Sequence, residues 1–226
     1  MDFVRARSKE QKDQRFQEIM RVTDTLFHAS TFHDISLTTI AETLGWSRGN
    51  LYKYVTTKEE IFLALYIEKH HAWIDAVAST FCGGERLPPM VFVRRWSQVL
   101  AAESDFLKYQ NILAIVIETN VPIDALAAFK KNLWHERQPL VDVIRGQCPW
   151  MQDKEIRSFL LLQIYHACGL YNHIYLTPNL VEALNLAGIE VAVVDFATAF
   201  EHFLNTYMTG MMAESTVPDE LRQSMR

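Results

Sequence analysis

The chain has 226 residues, 49% hydrophobic and 22% charged, a balance that suits a soluble globular protein of one domain or one domain plus a small module. No apolar run approaches the ~18 residues of a membrane span, and Met1-Asp2-Phe3-Val4-Arg5 has no apolar stretch of the kind a secretory signal carries. Cys82, Cys148 and Cys168 are odd in number and widely spaced, which suits reduced thiols in a cytoplasmic protein rather than a disulfide or zinc framework.

In chain order, residues 9–29 show Phe16, Ile19, Met20, Leu26 and Phe27 at helical spacing with charges between them. Phe32-His33-Asp34 interrupts that pattern. Ser36 is an N-cap for a short helix over 37–44 that turns Ile40, Ala41 and Leu44 inward. Gly45 supplies the tolerant backbone of a sharp turn, and Ser47 caps a further helix over 48–54 with Leu51 facing the core. Thr57 and Glu60 form a capping box for a fourth helix with Ile61, Phe62, Leu65 and Tyr66 as its stripe. Cys82–Pro89 is the clearest break. Helical segments follow near 90–101, 104–118, 123–145, 153–176 and 189–211, separated by Pro122, by Gly146 with Pro149, and by Pro178–Gly188. The expected organisation is all-α: a helix-turn-helix domain over 9–57, a connecting helix over 58–81, a larger helical domain over 82–212 and a flexible tail over 213–226.

The charge divides unevenly. Residues 1–60 carry nine Lys/Arg and nine Asp/Glu, so the whole net charge of −5 falls after them. What matters at DNA is the charge of the docking face, not of the chain. Arg5, Arg7, Lys9 and Lys12 crowd the start of the chain, where they serve either as an arm on DNA or as a solvated tail. Arg48, Lys53 and Lys58 recur within eleven positions.

The stretch Ser36–Ile61 matches a family pattern at Ile40-Ala41, Gly45, Ser47, Gly49, Leu51-Tyr52, Tyr54, Lys58-Glu59 and Ile61. On these residues it resembles the DNA-binding domain of the TetR family of transcriptional regulators, over about residues 9–70. Trp46 and Val55 depart from the pattern, standing where Val and Phe are usual. The resemblance implies that Thr38, Tyr52, Tyr54 and Lys58 hold phosphates, with Thr39 beside Thr38 at a helix N-terminus and Ser47 capping the reading helix. It implies that Arg48 and Asn50 face base edges, Arg suited to guanine and Asn to adenine. Gly49 would allow close approach to the groove, and Lys53 would take a phosphate or a base.

For the remainder, the resemblance implies a small-molecule effector site and a homodimer, hence a repressor that releases a palindromic operator when its effector binds. Helices 153–176 and 189–211 are apolar over most of their surface, which fits a four-helix dimer interface or burial within one copy. Tyr109, Trp134, His135, His166 and Tyr171 are the candidate effector contacts. No cofactor is expected, and neither His70-His71 nor His166 with His173 has a metal-ligand partner set. The competing readings are a helical enzyme, for which there is no phosphate loop, metal box or nucleophile elbow, and an adaptor that uses the motif to bind protein.

Overall fold

A computed structural model describes the backbone of residues 2–216 and the side chains of 9–213. Those residues are all-α, with no strand among them. The helices are α1 (Asp2–Ala29), α2 (Leu37–Thr43), α3 (Arg48–Leu51), α4 (Lys58–Thr80), α5 (Pro89–Ala102), α6 (Asp105–Ile112), α7 (Glu118–Asn120), α8 (Ile123–Glu136), α9 (Gln138–Gln147), α10 (Asp153–Ile174), α11 (Pro178–Leu186) and α12 (Phe196–Thr216). A single 3-10 turn, Phe32–Asp34, lies between α1 and α2, and a π-helix, Leu113–Ile117, follows α6. The side chains of Arg5 and Arg7, and the expected tail beyond Thr216, lie outside the described residues.

The chain forms two compact units: one runs through His70 and adds Tyr109–Lys131, the other comprises His71–Lys108 and residues from Asn132 onward. In the first unit Phe62 is the centre of an aromatic core, with the rings of Phe27, Phe32 and Tyr109 at 5.0, 4.8 and 6.2 Å. Ile19, Ile35, Ile40, Leu51 and Ile61 are buried there at 1% exposure or less. Tyr109 donates its hydroxyl to Asp24, which also accepts from Lys69 at 3.0 Å, so one carboxylate ties α1 to α4 and α6. Tyr66 adds a bond to Gln110 at 2.9 Å.

In the second unit α5, α10 and α12 pack together. Trp96, Phe159 and Phe200 have no exposed surface. Gln147 fastens the loop before α5, accepting from the Leu87 N–H and donating to the Glu85 carbonyl. Burial raises the thiols of Cys148 and Cys168 to about 12, which keeps both protonated at neutral pH.

Several boundaries differ from those expected. Residues 189–195 are not helical, and the last helix begins at Phe196. The reason is local: the Asp195 side chain caps it by accepting from the Thr198 N–H at 2.8 Å, and the preceding Val191, Val193 and Val194 are β-branched. Residues 178–186, expected as a connection, form α11, with Thr177 as N-cap and Pro178 at the first position. Residues 123–145 divide at Arg137, just before Pro139, into α8 and α9. Helix 48–54 is shorter than expected, giving way to a turn after Leu51.

Candidate nucleic-acid interface

The interface is built by capping. Ser36 Oγ accepts from the Thr39 N–H at 3.1 Å and shares a 2.9 Å bond with the Thr39 hydroxyl, which fixes the start of α2. Gly45 ends that helix at φ +67°, with its N–H on the Glu42 carbonyl and the Trp46 N–H on the Ala41 carbonyl, the paired bonds of a Schellman turn. Ser47 Oγ then accepts from the Asn50 N–H at 3.2 Å and starts α3. This is the arrangement the sequence implies at Ser36, Gly45 and Ser47. At the next corner the bonding shifts by one residue: Thr57 caps the Glu60 N–H at 3.3 Å, but the Glu60 carboxylate accepts from Thr56.

Leu51 is 1% exposed and Val55 3%, so both anchor the segment to the core. Ser47, Arg48, Gly49 and Lys53 are exposed, Tyr52 is 49% exposed, and Asn50 and Tyr54 are half-buried. Thr38 and Thr39 are half-buried at the start of α2. A four-residue helix thus presents one arginine and one asparagine, with Tyr52 and Lys53 on the turn that follows.

Three features lie beyond what local sequence shows. Trp46 packs against Tyr54 with ring centroids 5.6 Å apart, and the Arg15 guanidinium of α1 lies 5.4 Å from the Trp46 ring. Lys12 and Arg15 line an open groove together with Lys53, Tyr54 and Glu18, the last paired with Arg15 at 2.7 Å, so the polar surface of the turn continues onto α1. The third concerns Lys58, whose ammonium donates to the Phe32 and Ile35 carbonyls, both at 2.7 Å, and sits 3.9 Å from the Phe32 ring centroid. Burial holds its pKa below the ordinary lysine value. An ammonium has three protons, so two are used in closing the corner before α2 and one remains for an outside acceptor.

The expected effector contacts have separate surroundings. Tyr109 has no exposed surface and uses its hydroxyl on Asp24. Trp134 is 57% exposed, stacks with Arg137 at 4.4 Å and lines a cleft of about 160 Å³ with Arg145, Ile156 and Leu160. His135 is exposed. His166 lies flat on Phe203 with centroids 3.7 Å apart, and burial lowers its pKa. The Tyr171 hydroxyl is pushed up to about 12 by burial and by the negative charge of Asp105.

This geometry, a polar face on a short capped helix braced by a preceding helix across a glycine turn, defines a helix-turn-helix protein. Residues 68–215, well over half of the chain, match the family described as tetracyclin repressor-like, C-terminal domain. The chain belongs to the TetR family, whose members are ligand-responsive transcriptional regulators. No curated protein matches the chain significantly. No described helix is long and apolar enough to cross a membrane.

Proposed function

We propose that the protein is a repressor that binds a palindromic operator as a homodimer and is released by a small organic effector. Residues 9–57 act as the DNA-binding domain, 58–81 as the connecting helix and 82–212 as the effector and dimer domain. The observation that carries this reading is the polar surface of Arg48, Gly49, Asn50 and Lys53 over a buried Leu51. Arg48 and Asn50 read bases, while Thr38, Thr39, Ser47, Tyr52, Tyr54 and Lys58 hold or border phosphates. Lys53 serves with the phosphate set, because its groove continues to Lys12 and Arg15.

Leu161, Leu162 and Tyr165 of α10, exposed at 50, 38 and 62%, support dimerisation, because such a surface is hidden by a second copy at low cost. Two copies must hold their reading helices about 34–36 Å apart to enter successive major grooves, so an effector that alters this spacing weakens binding without touching DNA. Coupling of about 1–3 kcal/mol is enough to make such a switch.

The test is selection of bound fragments from random duplex DNA, followed by footprinting of Arg48→Ala and Lys53→Ala across a salt series. Arg48→Ala is expected to weaken the operator by about 1–3 kcal/mol and relax one base preference. Lys53→Ala is expected to weaken all sequences alike and reduce the salt slope by about one. Equal, sequence-independent losses in both would refute the base-reading role of Arg48.

A further inference from the structure

Gln163, midway along α10, has no exposed surface. Trp96 of α5 donates its indole N–H to Gln163 Oε1 at 2.5 Å. The Trp96 ring packs against Phe92, Phe159 and Trp73 with centroids 5.6, 5.7 and 6.3 Å away. An indole nitrogen can only donate, so it dictates which end of the amide faces it; the reversed amide would oppose two donors. The other end, Nε2 with its two protons, is therefore turned elsewhere, buried and without a hydrogen-bond partner.

A buried donor left unmet destabilises the fold; Oε1 is used on the Trp96 indole, but nothing within the chain uses the two protons of Nε2. The other buried polar side chains described in this unit differ. Gln147 uses both ends of its amide on the loop before α5. Ser97, whose hydroxyl is also unmatched, is one residue from Trp96 and so points about 100° away on α5. It shares the side of Arg94, one turn earlier, which pairs with Glu201 of α12. Gln163 alone offers a pair of unmet donors next to an aromatic cluster of tilted and edge-on rings.

We propose that Gln163, with Trp96 and Phe159, is the recognition point of the effector site, and that its ligand is an uncharged aromatic molecule bearing a hydrogen-bond acceptor such as a carbonyl oxygen. This rests on the reading of the second unit as effector-binding and names the ligand class. The amide supplies the polar contact, and the surrounding rings supply faces and edges for stacking. The buried polar side chains described in this unit are Ser97, Gln147 and Gln163, none of which carries a charge, so an ionised ligand would enter uncompensated.

The test uses the full-length protein and four probes: acetophenone, which has a carbonyl; ethylbenzene, which lacks it; benzoate, which is charged; and phenol, which donates. Binding is read from tryptophan fluorescence and from the shift in melting temperature. Acetophenone is expected to bind about tenfold more tightly than ethylbenzene, the difference one hydrogen bond makes, and benzoate not at all. Gln163→Leu combined with Trp96→Phe, which removes the amide without freeing the indole N–H to donate in its place, is expected to erase the difference between the two neutral probes. Trp96→Phe alone frees Oε1 to accept, so phenol is expected to gain affinity in that variant, which is informative even if the double variant does not fold. A preserved tenfold ratio in the double variant, no gain for phenol in Trp96→Phe alone, or failure of acetophenone to bind the parent would overturn the proposal. Duplex binding measured on the same proteins without probe separates the two readings: absence of any DNA binding refutes the regulator, whereas intact DNA binding with undiscriminated probes refutes only the role of Gln163.

Discussion

Around α3, Leu51 is 1% exposed while Arg48, Gly49 and Lys53 face solvent; along one turn of α10, Leu161, Leu162 and Tyr165 are exposed while Gln163 between them is wholly buried. The first arrangement is complete in isolation, since water satisfies the polar face and the core takes the leucine. The second is incomplete on both sides, with apolar surface in water and a polar group out of it. A segment that obeys the burial rule is recognised by the identity of its side chains. A segment that violates it is recognised by what would have to be added.

That contrast can be broken most forcefully at its buried anchor. Leu51→Ala is expected to cost about 2–5 kcal/mol in urea unfolding followed by circular dichroism, because it opens a cavity in the first unit. A loss under 1 kcal/mol would mean that α3 is not held by its leucine. On the other side of the contrast, Leu161→Glu combined with Tyr165→Glu is expected to raise the dimer dissociation constant about a hundredfold, with the helical content kept, as read by sedimentation. Unchanged mass at every concentration would show that this face of α10 is not the dimer contact.

Smaller effects sharpen it. An added Cβ at Gly45 meets nothing within 4 Å, so Gly45→Ala isolates the backbone cost of φ +67°, about 1–2 kcal/mol in the same unfolding experiment. The smallest effect concerns pH. Burial lowers the pKa of His166 from 6.5, so the unfolded chain takes up a proton at a higher pH than the native one. The stability this histidine contributes is present above pH 6.5 and is lost as pH falls through its lowered value. Melting of the parent is expected to fall across that window more steeply than melting of His166→Phe, which keeps the stack on Phe203; parallel curves would exclude the histidine as the cause.

What could be read from sequence was what is decided within four residues. Ser36, Gly45 and Ser47 each bond to a backbone group three positions away, so their identity and spacing announced the turn. The second half was less legible even where the signals were equally local. Thr177-Pro178 marks a helix start and Asp195 marks another, but Pro178 and Gly188 read as the edges of a gap, and the valines before Phe196 read as helix. Other roles depend on contacts that no local pattern contains. Lys58 closes a corner through carbonyls 23 and 26 positions back, and Gln163 takes its orientation from an indole 67 positions away.

The π-helix at Leu113–Ile117 lies just after Tyr109 and Gln110, the two residues that bond to Asp24 and Tyr66. A π turn accommodates one residue more than an α turn, and its exposed members here are Ala114 and Ile115. Wound as an ordinary α-helix with every residue kept, the segment would carry Ile117 about 100° further round from Tyr109. The π turn takes up one residue and so keeps Tyr109 and Ile117, both wholly buried, on one face, a correction counted in degrees rather than in contacts.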